Sequence, residues 1–529
     1  MPSIPDQGLR LGLTAVFLLA AAAPDTSSAQ DAIKRVKIDL AYVEEIAQRL
    51  AQGPYRPDAP RGEDASAMKI LSALKYDQYR AIRFLPERAI WKSENLNFQM
   101  HLFHLGYLFT QPVHINEFTH THCQRLRFVQ DFFDYSRSGM TSSLPPTLGY
   151  AGLRLHFPLN KPDVFDEAIV FQGASYFRAL GKGNVYGLSS RGLALNCALP
   201  GITEEFPIFR EFWVGKPEGT QRTITIFALL DSDSVAGAYQ FDIAPGDPTT
   251  VAVHASLFFR KVSAVVGVSP FSSMFWFGEN SRQRFDDYRP EVHDSDGLAI
   301  RTASGECMWR PTSNNPPRIE THSFKLHGVK GFGLLQRDRS FANYQDLEAL
   351  YHQRPSIWVE PTSDWGPGEV RLVELPTQEE LADNVVVYWI PDATPQPLKP
   401  FRYSYRQTWG MMENPAGAAC WTVATRSGTH PWAPGVRFMI VEFDGPRLRE
   451  LPSEKPPDAV VTVANGAPVS VENVRTLRNP FNGIWRASFE VRPASTNTPP
   501  AQIGPIELRC CLKSGEDYLS ETWTYRTQL

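Results

Sequence analysis

The chain has 529 residues, of which 42% are hydrophobic and 21% charged, so it has apolar material for a large core and is not disordered throughout. Its 43 prolines, 36 glycines and 12% aromatic residues indicate many short strands joined by turns. A net charge of −4 argues against a nucleic-acid-binding protein, which usually carries a basic excess.

The N-terminus has the pattern of a secretion signal. Arg10 precedes an apolar run at residues 11–23, and Ser27 and Ala29 are small residues spaced as at a signal-peptidase site. The run is shorter than the roughly 20 residues that a membrane-spanning helix needs. We therefore predict a signal peptide at residues 1–29 and an exported protein that is not embedded in the membrane. The alternative is a buried N-terminal helix.

Few segments have helical spacing. At residues 38–51 the apolar positions, among them Ile38, Val43 and Ile46, recur near a period of 3.6, and Gly53 marks a stop. Shorter helices are predicted at residues 76–82 and 344–353.

Most of the remaining chain predicts strands. Leu96, Phe98, Met100 and Leu102 alternate with a period of two, which is typical of antiparallel strands with one buried face. The clearest predicted strands lie at residues 96–109, 222–230, 251–259, 370–375 and 384–390.

A proline-rich stretch at residues 391–400 predicts a linker. Residues 401–529 after it contain seven or eight short strand patterns, a number and length that suit a small immunoglobulin-like β-sandwich. Residues 30–390 are too many for one such sandwich and predict a large β-structure. The predicted fold class is therefore all-β, with two unequal domains.

Neither the cysteines nor the histidines have metal-ligand spacing. The six cysteines form no C-x-x-C pair, and we predict that most are small buried apolar residues, with one or two disulfides as the alternative. His120 and His122 share a strand face without a third ligand in register. Residues 294–297 resemble the start of a calcium loop, but Ala299 and Gly305 stand where glycine and glutamate are needed. No metal and no cofactor are expected.

Several dense blocks combine carboxylates, arginines and aromatic rings. They lie at residues 171–178, 186–192, 288–298, 331–339 and 354–384. This mixture is typical of a carbohydrate cleft, because sugar hydroxyls take charge-assisted hydrogen bonds while the ring C–H face lies on an aromatic face. The alternative is that the aromatic rings form core and the Arg–Asp pairs are structural bridges.

These blocks, in this order, resemble the periplasmic glucan biosynthesis protein family. Residues 204–207, 229–232, 237–239 and 278–280 match it as well. The resemblance is dense over about residues 47–389 and looser elsewhere. D-type members usually carry a twin-arginine signal, and its absence makes this chain more similar to G-type members.

The resemblance implies both a fold and a role. It implies a periplasmic location and a large N-terminal β-sandwich similar to a sugar mutarotase, followed by the immunoglobulin-like domain. It also implies a role in osmoregulated periplasmic glucans, which have a β-1,2-linked glucose backbone.

Family members are similar to glycoside hydrolases that cut β-1,2-glucan with inversion, and some act as transglycosylases. Inversion needs one carboxylic acid that protonates the leaving oxygen and one carboxylate that activates water. The resemblance assigns Asp383 as general acid and Asp294 as general base, with Asp296 as the nearest rival. The alternative roles are structural: a turn before Gly297 for Asp294, and a cap on the strand at 384–390 for Asp383.

Further residues in the blocks are predicted to bind substrate, each with a core or salt-bridge role as the alternative. His293, close in sequence to Glu291 and Asp294, is a candidate for titration near neutrality and for orienting Asp294. The predicted substrate-binding residues are Tyr288, Arg289, Glu291, His293, Asp296, Trp309, Trp358 and Trp365.

Two functions follow from the resemblance. In the first, the protein is a β-1,2-glucanase or transglycosylase that sets glucan length or branching. In the second, it is a non-catalytic glucan-binding protein that escorts the polymer from a membrane glucan synthase. Both predict an aromatic cleft, and only the first requires a carboxylate pair.

Overall fold

The structure is a computed structural model that describes residues 37–281, 285–314, 318–464, 466–495 and 499–529. The predicted signal peptide lies outside the described residues. Within those ranges, the helices are all too short or too polar to cross a membrane. Strands predominate, which confirms the predicted all-β class.

Helices are confined to short segments. The α-helices of the described residues are α1 (Leu40–Ala51), α2 (Gly62–Ser72), α3 (Tyr76–Ala81), α4 (Phe341–Tyr344) and α5 (Pro446–Arg449). Helices α1 and α3 confirm the predictions at 38–51 and 76–82. The predicted helix at 344–353 is wrong, because Gln345 and Leu350 have positive φ angles of 56° and 49° that interrupt any helix there.

The strands run through the whole described chain. In order they are β1 (Arg83–Phe84), β2 (Gln99–Phe103), β3 (His114–Phe118), β4 (Cys123–Arg125), β5 (Phe133–Asp134), β6 (Gly152–Lys161), β7 (Val164–Gln172), β8 (Tyr176–Ala179), β9 (Ser189–Arg191), β10 (Leu193–Leu195), β11 (Ile208–Gly215), β12 (Ile224–Asp231), β13 (Val235–Ala244), β14 (Thr249–Phe259), β15 (Val266–Ser273), β16 (Phe275–Phe277), β17 (Val292–His293), β18 (Gly297–Thr302), β19 (Cys307–Pro311), β20 (Glu320–Leu326), β21 (Val329–Leu335), β22 (Ser356–Pro361), β23 (Gly368–Glu374), β24 (Val385–Pro391), β25 (Pro400–Gly410), β26 (Trp421–Thr429), β27 (Arg437–Asp444), β28 (Asp458–Val463), β29 (Val469–Arg478), β30 (Trp485–Pro493), β31 (Ile506–Ser514), β32 (Asp517–Tyr518) and β33 (Thr522–Thr527).

The predicted strands at 222–230, 251–259, 370–375 and 384–390 correspond to β12, β14, β23 and β24. The predicted strand at 96–109 is shorter than expected, since only β2 is extended there. The side chains of Phe98, Met100 and Leu102 are buried as the alternation indicated, but His101 between them is buried too.

Two large sheets face each other across the main core. Among the described residues, one sheet has the order β2-β6-β7-β8-β9-β15-β24-β23-β20, with β10 also paired to β15. The other runs β28-β31-β33-β19-β18-β21-β22-β25-β14-β13-β12-β11-β3-β4, with β32 on β31. Apolar residues of both sheets form one continuous buried cluster, so burial of their facing sides is what holds this sandwich together.

Helix α1 covers the outer side of the second large sheet. Asp39 caps it by accepting a hydrogen bond from the Tyr42 N–H at 3.0 Å. Its buried residues Val43 and Ala47 pack with Trp213 of β11, so the apolar stripe seen in the sequence is a contact with the sheet.

A smaller β-sandwich follows the large one. Strands β26, β27, β30 and β29 form a sheet that packs through a second buried cluster on β28, β31 and β33. These last three strands also extend a large sheet, because β33 pairs in parallel with β19 at Met308 and Trp309.

The boundary between the two sandwiches differs from the predicted linker. Strand β25, which begins at Pro400, pairs along its length with β14 and β22 in the large sheet. The large sheet therefore continues to residue 410, past the predicted linker at 391–400. The prolines there shape a turn between two strands of the large sandwich.

The cysteines behave mainly as apolar residues. Cys197, Cys420, Cys510 and Cys511 are buried, while Cys123 and Cys307 are half-buried, and all six are unpaired in the described structure.

Candidate functional site

Three neighbouring strands bring two serines and a carboxylate together. Strand β15 lies between β9 and β24, and Ser272 is paired with Ser189 across that sheet. Asp383 precedes β24 on an exposed turn. The hydroxyls of Ser189 and Ser272 each donate to Asp383 Oδ2 at 3.3 Å. Both donors reach the same oxygen, which leaves Oδ1 of Asp383 open to the surroundings.

Asp294 is brought to the same place by backbone pairing after β15. The Asp294 N–H donates to the Met274 carbonyl at 2.8 Å. The Asn384 side chain accepts from the Phe275 N–H at 2.8 Å and donates to the Phe275 carbonyl at 2.9 Å. Asp294 and Asn384, the residue after Asp383, are thus fixed to the two consecutive residues Met274 and Phe275. This is how carboxylates 89 residues apart in sequence converge.

Asp294 is held in a buried ion pair. Its side chain is 4% exposed and is bonded to the Arg354 guanidinium. Burial raises the pKa of Asp294, Arg354 opposes that rise, and the nearby charge of Asp383 adds to it. The carboxylate of Asp383 is therefore close enough for its charge to affect Asp294.

A groove of about 900 Å³ lies on β7 and β8, and β8 pairs with β9, the strand that carries Ser189. Burial raises the pKa of Tyr176 and the charge of Asp383 adds to the rise, while Arg178 opposes the rise in the pKa of Asp294, so two groove residues lie within electrostatic reach of the pair. The groove is lined by Tyr76, Arg80, Phe103, Phe109, Arg154, Glu167, Val170, Gln172, Tyr176, Phe177, Arg178 and Tyr186. Its wall combines aromatic faces with charged hydrogen-bonding groups.

Glu167 organises the polar part of this wall. It accepts hydrogen bonds from Arg154 and from the Tyr186 hydroxyl. Burial, together with the charge of Glu167, raises the pKa of Tyr186 far above its ordinary value. Tyr186 therefore stays a neutral hydrogen-bond donor over the whole physiological range.

Arg289 ties together the loops around Asp383. It forms ion pairs with Asp287 at 2.9 Å, Asp346 at 2.9 Å and Glu380 at 2.7 Å. Glu380 is three residues before Asp383, so the contribution of Arg289 is to position a loop. Tyr288 beside it is 75% exposed, with its ring centroid 5.9 Å from the Arg289 guanidinium.

Three predicted substrate residues lie instead in a second, enclosed cluster. His293 is fully buried, with Nδ1 2.9 Å from Gln336 Oε1 and Nε2 2.8 Å from Glu291 Oε2. Asp296 accepts the backbone N–H groups of Arg337 and Asp338. Both ring nitrogens of His293 are thus engaged by Gln336 and Glu291, and neither of them contacts Asp294.

The carboxyl groups of this cluster have strongly raised pKa values. Burial raises the pKa of Glu279 and of Glu291 to about 8, and that of Asp296 to about 6. The Glu279 carboxyl also accepts the Thr425 N–H of β26 at 2.9 Å. The cluster therefore lies between the two sandwiches, without access for a polymer.

The predicted tryptophans are mainly packing residues. The Trp309 and Trp358 side chains are 3% exposed and belong to the core shared with the small sandwich. They fit because Gly297 and Gly331 lack a Cβ, which would lie 2.3 Å from each indole. Trp365 is half-buried and donates from Nε1 to the Ser404 carbonyl at 3.1 Å. Trp309 and Trp358 thus lie in the core, the role that was the alternative to substrate contact.

Several residues of the site were missed as individual candidates. Arg354, Tyr176 and Tyr186 lie in blocks that the sequence singled out, but no spacing marked them as neighbours of Asp294 or Asp383. Ser189 also lies in one of those blocks, whereas Ser272 carries no signal beyond being a polar residue near a strand end.

The fold and the site define a β-sandwich protein with a carboxylate pair beside an aromatic-lined groove. The family described as "Periplasmic glucan biosynthesis protein, MdoG" matches residues 38–527. The chain therefore belongs to the periplasmic glucan biosynthesis protein family, which confirms the resemblance seen in the sequence.

Curated relatives match along nearly their whole length. A "Glucans biosynthesis protein G" of Ralstonia nicotianae is 43% identical, over 90% of this chain and 94% of its own. The protein of that name in Shewanella frigidimarina is 43% identical, over 94% and 86%. That of Rhodopseudomonas palustris is 41% identical, over 98% of both chains.

Proposed function

We propose that the protein acts in the periplasm on β-1,2-glucan, as an inverting glucanase or as a transglycosylase that sets glucan length or branching. The observation that carries the proposal is the convergence of Asp294 and Asp383 beside the groove of about 900 Å³. Two carboxyl groups beside a polymer-binding groove are what glycoside cleavage requires.

In the proposed reaction the two carboxyls have different tasks. Arg354 stabilises the ionised form of Asp294, which suits a general base that takes a proton from water or from a sugar hydroxyl. Asp383 donates a proton to the leaving oxygen. The two serine hydroxyls fix Oδ2 of Asp383, so the proton belongs on the open Oδ1.

The groove suits a neutral sugar chain. Tyr76, Phe103 and Phe109 offer apolar faces to sugar rings, while Arg80 and Gln172 offer hydrogen-bond donors to hydroxyls. Its charged residues are three arginines and one glutamate, and arginine donors can hydrogen-bond the hydroxyls of an uncharged polymer.

The second candidate is a non-catalytic glucan-binding protein that works with a membrane glucan synthase. The names of the relatives favour it, since they refer to glucan biosynthesis and not to cleavage. Both candidates use the groove, and only the enzyme uses the proton chemistry of the carboxylates.

The test is to incubate the mature protein with linear β-1,2-glucan and to follow reducing ends and chain length. A glucanase raises the number of reducing ends, whereas a transglycosylase redistributes chain lengths without raising it. If the glucan binds and neither quantity changes, the enzyme proposal is wrong and the escort function stands.

A further inference from the structure

A tight turn beside the groove carries two apolar side chains at its tip. The turn follows β2, and Gly106 and Phe109 exchange two backbone hydrogen bonds of 2.9 Å each. Tyr107 and Leu108 lie between them, and the Leu108 side chain is 75% exposed while Tyr107 is half-buried. Contiguous exposed apolar side chains commonly mark a binding surface.

This turn is fixed to helices α2 and α3. The Tyr107 N–H donates to the Leu71 carbonyl of α2 at 3.0 Å, and the Tyr107 ring stacks on that of Tyr79 in α3, with centroids 6.2 Å apart. The Tyr79 hydroxyl donates to the His104 carbonyl at 2.9 Å. A Cβ on Gly106 would lie 3.1 Å from the Tyr79 ring, so glycine permits this close approach. The tip is therefore held in place before any ligand binds.

Four aromatic rings form a continuous row from the turn to the groove. The Tyr107 ring contacts the Tyr76 ring at 5.9 Å between centroids, and the Tyr79 ring contacts the Phe109 ring at 5.8 Å. Tyr76 is 56% exposed. Tyr76 and Phe109 also line the groove of about 900 Å³. This aromatic platform, made of Tyr76, Tyr79, Tyr107 and Phe109, thus continues the wall of the groove.

The platform lies at a distance from the carboxylates. The Tyr79 hydroxyl accepts a hydrogen bond of 3.3 Å from the side chain of Gln172, the last residue of β7. Asp383 is bonded to Ser189 of β9, and β8 lies between β7 and β9. Two strand spacings amount to about 10 Å. A ligand that reaches from Asp383 to the platform is therefore longer than a single sugar unit.

The chemistry around the platform favours a sugar chain. Aromatic faces can take the C–H faces of sugar rings. Arg80 follows Tyr76 by four residues on α3, so the two side chains share one face of the helix, and both line the groove. Arg80 and Gln172 can donate hydrogen bonds to the hydroxyls of a sugar whose ring lies on an aromatic side chain.

We propose that the aromatic platform binds a segment of the glucan away from Asp294 and Asp383, and that it makes the protein prefer long chains to short ones. The identity of the polymer rests on the proposed function. A long chain fills the groove and the platform together, whereas a short oligosaccharide at the carboxylates does not reach the Tyr107 ring.

The test is calorimetric titration of Asp383→Asn, which should not consume the glucan, with long linear β-1,2-glucan and with the β-1,2-linked trisaccharide. Tyr107→Ala, added to this parent, should weaken binding of the long chain by about 3–10-fold, the size of an aromatic contact. Its binding of the trisaccharide should stay within about twofold of the parent. Tyr76→Ala, at the exposed end of the row, should also weaken binding of the long chain by about 3–10-fold.

Two further variants are controls. Tyr107→Phe keeps the ring face and should bind the long chain as the parent does. Phe481→Ala removes a ring that is 96% exposed on the small sandwich, and it should also bind as the parent does. Thermal melting shows whether each variant is folded. Folded Tyr107→Ala and Tyr76→Ala variants that bind the long chain like the parent would overturn the proposal, as would an equal loss of affinity for both chain lengths in Tyr107→Ala.

The platform and the enzyme function can fail separately, because the titration does not depend on turnover. A wild type without glucan turnover, whose binding of the long chain depends on Tyr107, would refute the enzyme function and support the platform. Turnover by the wild type, with binding independent of Tyr107 and Tyr76, would refute the platform alone. Absence of any binding of the long chain to the parent would refute the platform as a glucan site.

Discussion

At the scale of single residues, the state of Asp294 depends on two opposing influences. Burial favours its protonated form, while Arg354 favours the carboxylate. An arginine next to an aspartate typically lowers its pKa by about 1–3 units, so Arg354 opposes the effect of burial on Asp294. Arg354 therefore tunes the pKa of the proposed base, although it takes no part in the proton transfer itself.

We expect Arg354→Met to raise the pKa of Asp294, because the opposing positive charge is lost. If Asp294 is the base, the acidic limb of the pH–rate profile should move to higher pH by about one unit or more. Arg354→Lys, which keeps the charge, should move it less. A shift of the alkaline limb instead would exchange the roles of Asp294 and Asp383, and an unchanged profile would show that Arg354 does not act on the reacting carboxyl.

Glu279 allows a second prediction at this scale. Its pKa is about 8 in the folded protein, against an ordinary 4.5. Between about pH 4.5 and 8, the folded state therefore keeps a proton on Glu279 that the unfolded chain has already released. Since the folded state binds more protons there, the free energy of unfolding should fall as the pH rises through this range.

Glu279→Gln keeps the shape and removes the titration. The unfolding free energy of the variant minus that of the wild type should be at least about 1 kcal/mol higher at pH 8 than at pH 5. Denaturant titrations at the two pH values measure the difference. Glu360→Gln, a partly exposed glutamate paired with Arg406, is the control and should show no such gain. Equal behaviour of the two variants would mean that Glu279 is ionised in the folded protein.

Residue chemistry could be predicted only in part from the sequence. Asp294 and Asp383 lay in recognisable blocks, and the structure places them together. Trp309 and Trp358 had the same sequence signal as ligand-binding rings, yet they are core. Trp309 and Trp358 can pack in the core because Gly297 and Gly331 on neighbouring strands lie against their indoles. Which residues of two strands lie side by side depends on the strand register, and the sequence alone does not give that register.

At the scale of elements, close approach between β21 and β22 depends on glycine. A Cβ on Gly333 would lie 2.0 Å from the Ile357 carbonyl oxygen of the adjacent strand. Both strands lie in the large sheet whose inner face forms the main core. The two backbones must separate to admit even a methyl group.

Gly333→Ala should therefore destabilise the protein by about 1–3 kcal/mol, measured by denaturant unfolding. Gly428→Ala in β26 is the matched control, because nothing lies within 4 Å of its Cβ position. That control should change stability by no more than about 0.5 kcal/mol. Equal stability of the two variants would show that β21 and β22 are not in close contact at Gly333.

The positions of helices and strands were easier to predict than the pairing of the strands in the sheets. Helix α1 and strands β12, β14, β23 and β24 follow from local periodicity and turn residues. The place of β25 does not, since the prolines before it and at its first residue have the composition of a linker, while its long-range pairing puts it between β14 and β22. Composition identifies a break in the pattern, but only the sheet shows which sandwich the next strand joins.

At the scale of the whole molecule, the two sandwiches are joined by a buried ion pair. Arg337 contacts Glu521 at 2.6 and 3.0 Å, and both side chains are at most 2% exposed. Arg337 also lies 3.7 Å from the centre of the Trp309 ring. The small sandwich is thus fixed to the large one by charge and packing together.

Removing one member of this pair should be costly, because the other charge stays buried. We expect Arg337→Met to lower the free energy of unfolding by about 3–5 kcal/mol. Arg509→Met, which removes the exposed pair with Glu306, is the control and should cost about 0–1 kcal/mol. Similar small losses in both variants would show that the interface does not depend on Arg337.

The central claim is that Asp294 and Asp383 act together on a glucan held in the adjoining groove. The most direct measurement compares the turnover and binding of linear β-1,2-glucan by the wild type, Asp294→Asn and Asp383→Asn. The proposal predicts that each variant binds the glucan nearly as the wild type does, while turnover falls by about 10²–10⁴-fold. Undiminished turnover in either variant would contradict the role assigned to that residue, and undiminished turnover in both would refute the carboxylate mechanism.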